Sequence, residues 1–259
     1  MSQIHPTALI SPSAKIDETA IIGPYCIVGE EVTIGAHTVL HRHVVVTRFT
    51  RIGEHNEFYQ FASIGEDPQD LKYAGEPTWL EIGDHNTIRE ACSLHRGTTQ
   101  DDELTKIGSH NLLMVNTHVA HDCVIGNHNV IANNVGVAGH VNIGDHTIIG
   151  GNSGIHQFCT VDDYSLIGGA SLILKDVAAF TMVSGNPAKT HGLNVEGMRR
   201  KGWSKETINV LRQAYRTIFR SRLTSVQAIE VLRNEMLSEE PKIQLLIDSL
   251  EKSSRGVVR

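Results

Sequence analysis

The sequence predicts a mainly β protein, with a parallel β-solenoid over residues 1–189 and a small α-helical domain over residues 190–259. Three observations carry this prediction. An apolar residue returns at every sixth position, a small residue usually follows it four positions later, and beyond Pro187 the six-residue step gives way to a helical period.

The step begins at Ile4 and runs through Ile10, Ile16, Ile22, Val28, Ile34, Leu40, Val46, Ile52 and Phe58 to Ile64. It resumes at Ile82, Ile88 and Leu94, then runs unbroken from Ile107 to Ile173. With 40% of the residues hydrophobic, runs of this length arise by chance about once in a billion. A period of six suits neither a helix nor a simple alternating strand, but it does suit a coil of short strands joined at tight corners. The 26 hexads would form nearly nine three-sided coils, a prism roughly 40 Å tall at ~4.8 Å per rung.

Cys26, Cys92, Cys123 and Cys159 all fall in the small slot, four after an aliphatic residue. They are therefore expected to be buried small hydrophobes, neither metal ligands nor disulfide partners. Two stretches interrupt the repeat, near residues 66–79 and 97–106. Insertions in a solenoid loop out from one face and commonly build its binding site. Past Pro187, Ser204 is expected to cap one helix, Ser225 a second and Pro241 to open a third.

Aromatic residues make up only 5% of the chain, which favours an aliphatic, narrowly stacked interior. The opening residues carry no secretory signal, and no apolar run reaches the ~18 residues of a membrane span, so a cytoplasmic protein without integral membrane association is expected. Residues 1–189 hold 10 Lys and Arg against 21 Asp and Glu, and the remainder 13 against 8, giving net charges of −11 and +5. The basic segment points to an anionic partner.

Six of the 15 histidines, His37, His55, His85, His110, His128 and His146, recur in one frame, Ile-Gly-x-His followed by Asn or Thr. They are expected to decorate a corner of the prism. His118, His121, His140 and His156 break the frame. One coil is 18 residues, so His121, Asp122, His140 and His156 should meet on consecutive rungs, with Gly136 and Gly154 above His118 and Gly139 above His121 leaving a groove. An imidazole beside a carboxylate suits general-base removal of a hydroxyl proton. Adjacent strand residues normally face opposite ways, however, so His121 and Asp122 need a turn to pair. Structural and metal-ligand roles stay open for His121 on this reading.

The hexads resemble those of the hexapeptide-repeat acyltransferases, whose fold is a left-handed parallel β-helix; the handedness is implied by this resemblance alone. More specifically, the loop Pro68–Tyr73 (PQDLKY), Asn116–Cys123 (NTHVAHDC), His156–Phe158 (HQF) and Gly192–Arg200 (GLNVEGMRR) are similar to the UDP-N-acetylglucosamine O-acyltransferases that open lipid A synthesis. That resemblance spans essentially the whole chain, without the extra domain that precedes the repeats in the related N-acyltransferases. It implies transfer of a 3-hydroxyacyl group from acyl carrier protein to the glucosamine 3-hydroxyl of UDP-N-acetylglucosamine by a homotrimer with active sites between subunits, with no cofactor, metal or nucleic acid.

By the same resemblance, His121 matches the general base, Asp122 its orienting partner and the Gly139 N–H the oxyanion donor. Gln69, Asp70, Lys72, His118, His140, His156 and Gln157 match positions lining the sugar nucleotide and acyl groove, and Asn194, Glu196 and Arg200 those that hold the nucleotide. Arg199, Arg200 and Lys201 suit an acidic carrier protein or its phosphopantetheine. On composition alone, Lys72 reads equally as a solvated loop lysine and this trio as an ordinary basic face. Lys201 stands where relatives carry Arg, which weakens bidentate phosphate binding there. Gly169 matches the position that limits acyl length, and a glycine there implies a long chain such as 3-hydroxymyristoyl. Two rival readings remain from the residues: a γ-class carbonic anhydrase with zinc on His118, His121 and His140, and a purely structural or ice-binding solenoid, against which the two insertions argue.

Overall fold

The computed structural model describes residues 3–259. Its body is a three-sided prism of short parallel strands in sheets of 11, 9 and 8 strands. Strands on one side pair 18 residues apart, as in Ile4 with Ile22 and Ile131 with Ile149. Where the chain is interrupted the spacing stretches, to Phe58 with Ile88 and to Ile82 with Ile107. The two insertions occupy the gaps between Ser63–Glu66 and Trp79–Ile82, and between Ser93–His95 and Leu104–Ile107. The second is shorter than the sequence suggests, because pairing resumes at Leu104 before the next hexad aliphatic, Ile107.

The stepped aliphatics from Ile22 to Ile173 point inward and form one continuous core. Most of the slots four residues later also point inward. All four cysteines are there, free and buried. Burial raises their thiol pKa values, to about 11 at Cys92 and about 12 at Cys123. In one column the small slot carries polar residues instead. Each Asn Oδ1 of Asn56, Asn86, Asn111 and Asn129 accepts the backbone N–H of the residue one rung above, at 2.7 to 2.9 Å. Such a ladder satisfies buried amides that would otherwise destabilise the core.

Most corners from Tyr25 onward are turned by the third residue after an aliphatic, which adopts a left-handed backbone: Tyr25, His43, Asp122, His140 and Phe158 are examples, with φ between 57° and 62°. Side chains at this position stack along the corners. His37, His55, His85, His110, His128 and His146 form one column with successive ring centroids 4.7 to 4.8 Å apart. Stacking recovers part of the cost of the left-handed conformation.

One end of the prism is open, with Ile4 37% and Leu9 66% exposed. The other end is closed. There an antiparallel hairpin of Thr181–Gly185 and Ala188–Leu193 adds to the 11-stranded sheet, and Val258 packs into the solenoid core. Residue 189 thus lies inside the hairpin's second strand. Four helices follow: α1 (Val195–Arg200), α2 (Lys205–Phe219), α3 (Ser225–Val231), which runs into a π-turn over Leu232–Met236, and α4 (Ile243–Lys252). Ser204 caps α2 as expected. Thr224, not Ser225, caps α3, because its reciprocal bonds with Gln227 form a capping box one residue earlier. Pro241 lies in the turn ahead of α4, which starts at Ile243. The helices bury Leu211, Ile218, Leu232, Leu246 and Ile247 against Phe180, Leu193 and Met198.

Candidate active site

On the nine-stranded side a groove of about 410 Å³ is lined by His118, Ala120, His121, Gly136, Ala138, Gly139, Gly154, His156, Leu172 and Gln69 of the first insertion. The glycines make it. His118 pairs with Gly136 and Gly136 with Gly154, so two rungs above the imidazole present no outward side chain. A Cβ on Gly136 would meet nothing within 4 Å among the described residues, whereas one on Gly139 would lie 2.7 Å from His121 Cε1.

At the next corner, the left-handed backbone of Asp122 supplies the turn that lets neighbouring side chains meet. His121 Nδ1 lies 2.7 Å from Asp122 Oδ2. The same carboxylate accepts the Thr98 N–H at 2.7 Å and the Thr98 hydroxyl at 2.7 Å. Burial pushes the Asp122 carboxyl up, but the bonds from His121 and Thr98 outweigh it and hold the group below the usual carboxylate range. A charged Asp122 favours the His121 tautomer with its proton on Nδ1, which leaves Nε2 free to accept one. Among the described residues, no protein acceptor takes the Gly139 N–H.

His140 stands behind this pair and does not line the groove. Its Nδ1 lies 2.8 Å from Asp101 Oδ2, its Nε2 3.8 Å from Asp122, and its ring stacks on Phe158 at 4.4 Å. His118 Nδ1 meets Ser93 Oγ at 2.8 Å, and burial lowers its pKa. His156 lines the groove's exposed rim, while the neighbouring Gln157 is outside its lining. In the first insertion, Lys72 Nζ donates to Gln100 Oε1 at 3.0 Å, and Asp70 accepts the Lys72 N–H at 2.9 Å. Asp70, which also accepts Gln100 Nε2 at 3.4 Å, and Lys72 are thereby tied to the second insertion.

Six predicted residues lie elsewhere on the chain. Asn194 caps α1 through a 3.0 Å bond from Gly197 N–H and donates to the Tyr164 carbonyl, while Glu196 pairs with Arg200 at 3.3 Å. None of Asn194, Glu196 and Arg200 lines the groove. Arg199 and Arg200 are exposed on α1, and Lys201 Nζ sits 2.9 Å from His146 Nδ1, at the corner of the stacked histidines. Gly169 lies on a third corner beside Gly151, outside the groove lining.

Sequence reasoning missed His95, which is buried edge-on against His118 with 4.8 Å between centroids. Burial pushes its pKa down to about 4. The signal is its place directly after Leu94, the hexad position that His156 occupies after Ile155. Donor atoms of His121, Asp122 and His140 lie within 4.8 Å of one another and could together hold a metal ion. His118 is not in that cluster, so within one chain His118, His121 and His140 do not converge on a common metal position.

Comparison with known proteins gives consistent matches. Residues 176–258 match the family model for domain 2 of UDP-N-acetylglucosamine O-acyltransferase, and residues 104–139 the bacterial transferase hexapeptide model of six repeats. The acyl-[acyl-carrier-protein]–UDP-N-acetylglucosamine O-acyltransferase of Psychrobacter arcticus is 84% identical over 259 residues, covering 100% of both chains. The solved structure of LpxA from Acinetobacter baumannii is 70% identical, covers 99% of this chain and 100% of its own, and superposes with a TM-score of 0.98. The UDP-N-acetylglucosamine O-acyltransferase of Moraxella catarrhalis is 67% identical, with the same coverage and a TM-score of 0.98. The fold shared with these structures is the left-handed parallel β-helix.

Proposed function

The chain belongs to the acyl-[acyl-carrier-protein]–UDP-N-acetylglucosamine O-acyltransferase family, and from that premise we propose how its own residues carry out the first step of lipid A synthesis. His121 Nε2 takes the proton of the glucosamine 3-hydroxyl as that oxygen attacks the thioester carbonyl of a 3-hydroxyacyl carrier protein. Asp122 holds the imidazole and stabilises the imidazolium. The Gly139 N–H donates to the tetrahedral oxyanion, a contribution of about 3 kcal/mol. Collapse expels the phosphopantetheine sulfur, which takes the proton back from His121. No cofactor is required, because the thioester is already activated.

The observation that carries this reading is the 2.7 Å His121–Asp122 pair set beside the glycine-lined groove. Gln69, Asp70, Lys72, His118 and His156 then bind the sugar nucleotide and the acyl chain, with His140 and Gln157 supporting the rim. Asn194, Glu196 and Arg200 sit away from their own groove. This favours a homotrimer in which a neighbouring copy brings them to the nucleotide, with Arg199, Arg200 and Lys201 meeting the acidic carrier protein. Gly169 allows a long acyl chain, and 3-hydroxymyristoyl is the donor proposed. Among the described residues, no helix is long and apolar enough to cross a membrane; a cytoplasmic site of action fits a carrier-bound donor.

The test is acyl transfer from 3-hydroxymyristoyl carrier protein to UDP-N-acetylglucosamine, with the native chain and His121→Ala compared under metal chelation. Chelator-resistant activity that His121→Ala abolishes is expected. An active His121→Ala removes the general-base role, and chelator-sensitive activity shifts weight to a metal on His121, Asp122 and His140. A chain-length series in which the shortest donor is preferred overturns the assignment at Gly169.

A further inference from the structure

The second insertion leaves the coil after Arg96 and rejoins it at Leu104, and its side chains turn back onto the site. Thr98, 1% exposed, gives both its N–H and its hydroxyl to Asp122. Gln100 receives Lys72, and Asp101 meets His140. The corner itself is altered at this rung. At the corners above, the left-handed residue donates its N–H to a backbone carbonyl one coil below, His140 to His121 and Phe158 to Gly139, each at 3.1 Å. Asp122 instead donates to a side chain, Thr105 Oγ1, at 2.8 Å. Thr105 thus takes the place of the backbone acceptor at this rung, as Thr7, Ser13 and Thr19 do for Tyr25, Glu31 and His37, and here Thr98 in addition grips the carboxylate itself.

We propose that Thr98 is a positioning residue for the reaction, whose hydroxyl fixes the Asp122 carboxylate in the one orientation that presents Oδ2 to His121 Nδ1. This rests on the general-base reading above. Asp122 sits one residue from His121, so a small rotation about its terminal torsion, which is intrinsically broad, would carry Oδ2 out of line. Thr98 prevents this from both sides, its N–H on Oδ1 and its hydroxyl on Oδ2. The hydroxyl is itself directed: its oxygen receives the Gln100 N–H at 3.4 Å, which leaves the hydrogen for Asp122. Bonds to a charged acceptor are about twice as strong as neutral ones, and in a buried site their loss is felt in full. The second insertion is therefore a strap that sets the base's partner, and through Gln100 it reaches the loop bearing Asp70 and Lys72.

Thr98→Val keeps the side-chain volume and removes only the hydroxyl. Turnover should fall on the order of tenfold with KM nearly unchanged. The acidic limb of the pH profile should move to higher pH, because a carboxylate with one donor fewer binds protons and attracts the imidazolium more strongly. Thr98→Ser should restore both. Wild-type turnover with an unmoved pH profile in Thr98→Val overturns the proposal while leaving the role of His121 intact; activity in His121→Ala alone overturns the reading on which it rests. If Thr98→Val does not fold, Thr98→Ala carries the same readouts.

Discussion

Replacing Gly139 by alanine is a direct test of how tightly the His121 imidazole, the proposed base, is held. The added Cβ would lie 2.7 Å from His121 Cε1 and 2.8 Å from Nε2, where ordinary contact starts near 3.4 Å, so the ring must retreat by about 0.7 Å. It cannot do so freely. Its Nδ1 is bonded to Asp122 at 2.7 Å, and its far side meets His140 edge-on at 5.1 Å. A 1 Å misplacement of a reacting group costs roughly 100-fold, so turnover should slow by a factor between about 10 and 100, equivalent to about 1.4 to 2.7 kcal/mol of barrier. Gly139 does not have a positive φ, so alanine adds no backbone strain and the melting temperature should hold within a few degrees. The assay is steady-state transfer to UDP-N-acetylglucosamine, with Gly136→Ala alongside. A Cβ at Gly136 meets no described atom within 4 Å and intrudes only into the groove, so that variant should raise KM and spare kcat. Wild-type turnover in a folded Gly139→Ala protein would refute the reasoning, because the imidazole would then tolerate displacement.

Three other perturbations separate structural from chemical roles. The four thiols are buried and their pKa values raised, so iodoacetamide at pH 8 should label none in the native protein and all four after unfolding, by mass spectrometry. Burial raises the Asp162 carboxyl to about 6; the native state then binds its proton more tightly than the unfolded chain, and this group's contribution to stability falls as pH rises from about 4 to 6. Asp162→Asn should accordingly raise the melting temperature by a few degrees at pH 8 and leave it unchanged at pH 4. Arg96 is fully buried and holds Asp67, the Gly65 carbonyl and the Tyr73 hydroxyl, the last at 2.8 Å, at the root of the first insertion. Arg96→Lys cannot span all three, and should raise KM for the sugar nucleotide several-fold more than it lowers kcat.

What can be read from the sequence is what repeats. A side chain whose place follows from a step of six or eighteen, such as Cys123 in its slot or Gly139 above His121, is fixed by register, and register is set by the aliphatic core. The strand rule alone speaks against a pairing of His121 with Asp122. The pair exists because Asp122, like the third residue after most of the aliphatics, turns left-handed, a corner property that one hexad does not announce. Thr98, Gln100 and Asp101 are out of reach for the opposite reason: they lie in an insertion, where no period says which side chain turns back. Asn56, Asn86, Asn111 and Asn129 have a regular position, but only the three-dimensional stack reveals that each amide oxygen serves the rung above. Thr224 displaces Ser225 as a cap because two adjacent hydroxyl residues compete and the Gln three places on decides between them.

The unequal ends of the prism set the order in which it comes apart. Each coil touches only its neighbours, so opening advances as a front and starts where no neighbour is missed. With Ile4 and Leu9 bare at one end and a hairpin, four helices and Val258 sealing the other, the front enters from the amino terminus. In the nine-stranded sheet it must unzip five strands before it reaches the one that carries His118. Amide exchange along the chain should therefore read like a clock, early at the first coil and late at the rungs of His118 and His121, so that wear at the exposed end costs the candidate site nothing for as long as the middle coils stay shut.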